Sequence, residues 1–315
     1  IILSEITLVT AYFNIGRESW AGYSRSNDKY IYYFKHWARI KNKLIVYTTP
    51  DIADKIKEIR HQFGLDDRTI VISIQDVTTI APDLYGAIKS VMTNKESWLF
   101  HKKLDHPESW NYLYNYVTGI KPFWVQDAIQ RGLADGMVAW IDFGYDHGGE
   151  EFPNSEDFDF LWQYQFPPFI HIFLAKELDE TPIFKIVQTM DTYIRGGIIL
   201  APDFLWKQLW KDSYSAIKVL SECGLADDDQ TITLLAYRRH PENFKTHMTS
   251  YWGEALRSYG GEQLRLRQQK RKKPHALLRK LKKYLQQKRI NFDIKRRHGT
   301  EIEKKYFSVH YTTEK

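Results

Sequence analysis

The sequence contains a single cysteine, Cys223, among 315 residues. One thiol closes no intrachain disulfide and builds no cysteine zinc cage, so the chain reads as a protein of a reducing compartment. Long apolar runs are also missing. The longest, such as Gly197–Ala201, fall far short of the roughly 18 residues that a membrane helix needs. The first residues, Ile1–Ile6, carry neither a basic region nor a small-residue cleavage site, which predicts no signal peptide. There is no Walker A loop, no dinucleotide Gly-x-Gly-x-x-Gly, no Gly-x-Ser-x-Gly and no His-Glu-x-x-His. P-loop nucleotidases, classical dinucleotide enzymes, α/β-hydrolases and helix-borne zinc proteases are thereby excluded. Asp142-Phe143-Gly144 matches a protein-kinase tripeptide, but no Gly-rich loop, Val-Ala-Ile-Lys or His-Arg-Asp accompanies it.

What is present is an aromatic-rich globular composition. Apolar residues make up 43%, charged residues 27% and aromatics 15%, which excludes a wholly disordered chain and suits a thick core or a ring-stacking site. Charge is spread unevenly. Residues 264–297 hold 15 Lys/Arg against one acid, Asp293, while the rest holds 30 basic against 38 acidic residues. The overall pI of 9.0 therefore belongs to one segment. The shift sets a boundary at Gly260-Gly261, between an acidic body (1–260) and a basic arm (261–315).

Short β-branched runs predict strands at Thr7–Phe13, Leu44–Thr48, Thr69–Ile74, Met137–Ile141, His171–Leu174 and Arg195–Leu200. Helical patterns intervene at Asp28–Ile40, Ile52–Phe63 and from Pro122 to Leu133, with further starts at Pro202 and at Asp227-Asp228-Asp229. Residues 81–120 are mixed, aromatic and helical in character. The alternation predicts an α/β fold with a largely parallel sheet, whose ligands sit beyond the carboxyl ends of its strands.

Three features lie there. Thr10-Ala11-Tyr12 ends the first strand, where a backbone edge faces a base and Tyr12 stacks on it, or where a strand simply ends. Asp142 ends an apolar strand, with Gly144 two residues on. A carboxylate so placed binds a divalent ion that bridges a diphosphate, or it caps a turn. Arg195-Gly196-Gly197 allows close approach of a ligand. Asp228 and Asp229 complement a helix dipole, or one of them accepts a hydroxyl proton as the transition state forms. The histidines are scattered, and His247 is the one retained as a metal-ligand candidate.

Thr7–Arg17, Lys43–Thr49, Lys121-Pro122-Phe123, Trp140–Tyr145, Arg195-Gly196-Gly197 and Asp228-Asp229-Gln230 occur in one order. That order resembles the bacterial HtrL/YibB-like family, which is similar to the GT-A class of nucleotide-sugar glycosyltransferases. The resemblance covers roughly residues 4–255. It implies a GT-A-like, Rossmann-related fold and transfer of a hexose from a nucleoside diphosphate sugar, with UDP the expected nucleotide. The implied acceptor is a bacterial surface glycan of lipopolysaccharide or capsule type, or its lipid-linked precursor. By the same resemblance Thr10, Ala11 and Tyr12 face the nucleotide, and Asp142 holds manganese or magnesium. Gly196 and Gly197 line the sugar and acceptor site together with Lys121, Gly144, Arg195 and Gln230, and Asp228 or Asp229 is catalytic. Gly144 stands where the class has a second Asp, so Asp146 or His247 is expected to complete the metal site.

Within the arm, Pro274–Arg289 alternates leucines with lysines and arginines at helical spacing. Such a helix lies on an anionic membrane or docks on the body, and the expectation is a protein of the cytoplasm, peripheral on the inner face of the cell membrane. The rival reading is a non-enzymatic nucleic-acid-binding protein using the same arm. The acidic body disfavours it, and no nucleic-acid partner is expected.

Overall fold

The computed structural model describes residues 5–20, 22–268 and 276–296. The expectations for the first four residues, and for Pro274 and its neighbours from 269 to 275, lie outside these residues. Seven strands form one sheet: β1 (Thr7–Tyr12), β2 (Leu44–Thr48), β3 (Thr69–Ser73), β4 (Met137–Ile141), β5 (Ile170–Leu174), β6 (Ile198–Pro202) and β7 (Phe244–Met248). Their spatial order is β3-β2-β1-β4-β6-β5-β7. β6 runs antiparallel to both of its neighbours, and every other pair is parallel. The sheet is mostly parallel and helix-flanked, the α/β arrangement expected.

The central strands are buried on both faces, which is why they read as near-continuous apolar runs rather than alternating ones. One face packs against Trp124, Tyr116 and Trp206. The other packs against Phe34, Trp37, Phe143 and Trp162. Two of the buried tryptophans pair with backbone carbonyls: Trp37 donates to Phe143 O at 3.0 Å and Trp206 to Ala201 O at 3.1 Å. β7 was not legible beforehand. Its sequence, FKTHM, carries a lysine and a histidine and is half-exposed at the sheet edge.

Two local features set up the site. Helix Lys121–Gln130 begins with Pro122 in its first turn, which leaves Lys121 at the helix start. Strand β6 begins at Ile198 rather than at Arg195, so Gly196 and Gly197 lie in the connection before it. The antiparallel β4–β6 register sets Ile141 opposite Ile198, and Asp142 N–H donates to Gly197 O at 2.9 Å.

Residues 261–268 run along the body. Leu264 is fully buried, Arg265 binds Asp157, and Arg267 donates to Gly149 O. A helix at Ala276–Arg296 then docks through its later half. Ile294 and Ile290 join a satellite cluster of Trp20, Trp98, Leu104 and Trp110. Asn291 Nδ2 donates to Lys102 O at 2.6 Å, and Gln287 Nε2 to Asp105 Oδ1 at 2.7 Å. Among the described residues no helix is long and apolar enough to cross a membrane.

Candidate functional site

A cleft of about 550 Å3 opens beyond the carboxyl ends of β1 and β4. At its floor the Lys121 ammonium lies 2.8 Å from Asp142 Oδ1 and 2.8 Å from Asp229 Oδ2, and donates to Gly196 O at 3.2 Å. Trp140 Nε1–H donates to the same Asp142 oxygen at 2.8 Å. Lys121 is almost wholly buried, which by itself disfavours its charge; the two carboxylates outweigh that, and its pKa is raised. Gly196 is required here by space. A Cβ on it would overlap the Asp229 carboxylate. Three segments far apart in sequence thus meet at one ammonium ion.

Beside this trio lies a second acidic group. Asp228 caps helix Asp229–Arg239 by accepting from Gln230 N–H at 3.1 Å. Asp227 accepts from the Thr231 hydroxyl at 2.7 Å and from Asp228 N–H at 3.0 Å. Burial raises Asp227 to about 7 and lifts Asp228 well above the carboxylate range, with Asp229 and Asp227 adding to the shift of Asp228. Glu108, on the facing wall, is raised by burial as well. Upward shifts favour the protonated carboxyl, which both donates and accepts hydrogen bonds.

The opposite wall is basic and aromatic. Arg17 donates to the Tyr30 hydroxyl at 2.8 Å and lies over the rings of Trp20 and Tyr114. Arg25 contacts His147 Nε2 at 3.3 Å and lies over Tyr30 and Tyr33. Neither guanidinium has a carboxylate partner among the described residues. At the rim, Trp252 is 46% exposed, with the Arg195 guanidinium 5.3 Å from its ring centre. Glu151 accepts from Trp252 N–H at 3.0 Å and from Gly253 N–H, which holds this turn in place.

Of the residues singled out from the sequence, Ala11, Tyr12, Lys121, Asp142, Gly144, Gly196, Gly197, Asp228, Asp229 and Gln230 line this cleft. Thr10 does not: it is wholly buried within β1. The Tyr12 ring is already stacked on Phe143 at 4.9 Å and packed against Tyr30 at 4.8 Å, and its hydroxyl donates to Asn27. It shapes the wall rather than offering a free face to a base. Arg195 reaches the site only from beneath Trp252, tied to Thr249 at 2.9 Å.

The expected metal ligands share no common centre. Asp142 has one oxygen committed to Lys121 and Trp140, and Gly144 adds no second carboxylate. Asp146 borders the cleft, but its carboxylate accepts from Glu151 N–H at 2.7 Å and Phe152 N–H at 3.1 Å. Those bonds hold a left-handed turn, φ 56° at Asp146 and 44° at His147. His247 lies away from the cleft, with both ring nitrogens engaged, one by His171 and one by Tyr259, each at 2.8 Å. Among the described residues no group of three His, Cys, Asp or Glu side chains is placed to hold a metal ion. The donor set as arranged does not fit a protein-held divalent cation.

Sequence reasoning missed Glu108, Arg25, Tyr114 and Trp252, and left Arg17 as part of a matching run without a role. Glu108 and Tyr114 fall in an aromatic helical stretch whose pattern marks no site. Arg17 and Arg25 flank Tyr23 in a loop directly after β1, and that placement was the usable signal.

The geometry defines an α/β protein with a ligand cleft at the carboxyl edge of a mostly parallel sheet. Residues 4–261 match the family described as "Bacterial protein of unknown function (HtrL_YibB)", and the chain belongs to that family. It is similar to protein HtrL of Escherichia coli (strain K12), with 31% identity over 256 residues, covering 76% of this chain and 87% of the relative. Two solved structures are loosely similar. Mouse xyloside xylosyltransferase 1 in its apo form has 11% identity and a TM-score of 0.38, over 81% of this chain and 91% of that one. The PaToxG glycosyltransferase has 11% identity and a TM-score of 0.33, over 75% of this chain and 70% of that one. Superpositions this loose carry no argument about activity.

Proposed function

We propose that the chain is a glycosyltransferase that moves a hexose from a nucleoside diphosphate sugar, UDP-linked, to a bacterial surface glycan or its lipid-linked precursor. The observation that carries this reading is the buried Lys121 bridging Asp142 and Asp229 beneath Gly196 and Gly197. Charged groups fixed in this way orient sugar hydroxyls without reorganising when the ligand arrives. A cleft of about 550 Å3 is within the usual range for small-molecule sites. Arg17 and Arg25 supply the positive charge that a departing diphosphate needs.

In the proposed reaction the bond between the anomeric carbon and the diphosphate oxygen breaks as the acceptor oxygen bonds to that carbon. The acceptor proton passes to a carboxylate. Burial raises both Asp229 and Asp228, but only Asp229 has an ammonium beside it to favour the ionised form, so Asp229 is the better acceptor. Trp252 forms the acceptor side, where an exposed indole stacks on a sugar face.

The test is calorimetric titration of the protein with UDP and with UDP-hexoses, in manganese and in EDTA, alongside Asp142→Asn. Micromolar binding of a UDP-hexose that weakens at least about tenfold in the variant supports the reading. Manganese-dependent binding would bring back a divalent ion, recruited together with the nucleotide. Absence of binding to any nucleoside diphosphate under both conditions defeats the proposal.

A further inference from the structure

The helix Ala276–Arg296 has two apolar faces, and the body covers only one. At about 3.6 residues per turn, Leu278, Leu281, Leu285 and Phe292 share a sector of about 60°. Ile290 and Ile294, which dock on Trp20, Trp98 and Trp110, lie roughly opposite. The outward residues are open to solvent: Leu278 by 61%, Leu281 by 53%, Leu285 by 56% and Phe292 by 60%. Tyr284, 55% exposed, borders them, with the Lys288 ammonium 5.0 Å from its ring centre. Exposed apolar side chains aligned along one helix face signify a covering partner.

The charges beside the stripe select that partner. Lys282 and Arg289 follow one edge, and Lys288 and Lys295 the other. Asp293 is the helix's single acid. A second copy paired along this stripe would set lysine and arginine against lysine and arginine. An anionic lipid surface takes the leucines and Phe292 between its acyl chains and the ammonium and guanidinium groups among its headgroups. We infer that this face of the helix seats the protein on an anionic membrane, with the Ile290–Ile294 face as the fixed joint to the body.

The joint also reaches the cleft. Ile15, Tyr23 and Tyr114 pack against the docking cluster and line the cleft as well. One wall of the cleft is therefore tied to the membrane-facing helix. The membrane inference itself stands on the helix alone and does not depend on the transferase reading.

The test uses the full chain with vesicles of phosphatidylglycerol and phosphatidylethanolamine, and with neutral phosphatidylcholine vesicles. Wild type is expected to co-sediment with the anionic vesicles and not the neutral ones, and to release as salt rises, because the attraction is screened. Leu281→Ser/Leu285→Ser/Phe292→Ser removes exposed residues only, so its melting temperature should match wild type while vesicle binding falls by about a hundredfold. Lys282→Gln/Lys288→Gln/Arg289→Gln should lose the anionic preference. Equal binding by the serine variant, or no vesicle binding by wild type, overturns the inference. So does wild type sedimenting as a dimer that the serine variant abolishes, or retention of DNA or RNA in place of vesicles.

Discussion

At the scale of single residues, the site is held by groups that leave little latitude. Gly196 carries no side chain because the Asp229 carboxylate occupies that space. Gly196→Ala is expected to push Asp229 off Lys121, cut turnover by about a hundredfold or more, and lower the melting temperature, because a buried ammonium loses one of its carboxylates. An assay of nucleotide-sugar hydrolysis together with a melting curve checks both parts. Asp228 makes a sharper thermodynamic statement. Its native pKa is raised by burial and by its acidic neighbours, so the folded state holds a proton that the unfolded state releases above its ordinary value near 4. Stability is therefore lost as pH rises through that window and beyond. Asp228→Asn keeps a cap acceptor for Gln230 N–H and removes the ionisation. The variant should melt above wild type at pH 8, with the gap closing as pH falls toward 4. A constant gap would mean that Asp228 is ionised in the native protein. His247 runs the other way. Burial, then His171, lower it to about 4, so its contribution is present above the unfolded value near 6.5 and lost as pH falls toward 4.

At the scale of elements, the turn after β7 presents an aromatic platform. Trp252 is backed by Arg195, and its backbone is pinned by Glu151. Trp252→Ala is expected to raise the acceptor KM by about tenfold and to leave UDP affinity within about twofold, because the indole is half-exposed and supplies none of the Lys121 trio's bonds. Steady-state kinetics with acceptor varied at saturating donor separates the two effects; an equal loss in UDP affinity would move Trp252 to the donor side. The elements also show the limits of local pattern. Pro122 and the acidic start at Asp227-Asp228-Asp229 were readable because helix starts depend on neighbouring residues. β7 was not, since an edge strand needs only one buried face and its Lys245 and His247 obscure the alternation.

At the scale of the whole molecule, the charge boundary and the packing boundary are separate. Composition changes at Gly260, yet Leu264 is fully buried and Arg265 and Arg267 tie the following residues to the body. A chain ending at Gly260 should melt at least about 5 °C below one ending at Gln268, because losing a buried leucine costs about 2–5 kcal/mol. Differential scanning calorimetry of the two chains decides this, and equal melting would make Gly260 the true edge. The sequence by itself determined the class of fold, the positions of most strands, the carboxylate at the end of β4, the acidic helix start at Asp227-Asp228-Asp229 and the basic amphipathic helix. Each of these depends on hydrophobic periodicity or on a side chain bonding its own neighbours, which is local information. Only the tertiary structure decided that β6 runs backwards beside β4 and brings Gly197 to Asp142. It also decided that Lys121 joins Asp142 to Asp229, that His247 turns away to His171, and that Glu108 and Arg17 face one cleft. Those pairings join residues separated by tens to more than a hundred positions, and the packing of the two buried sheet faces, a property of the whole chain, selects among them.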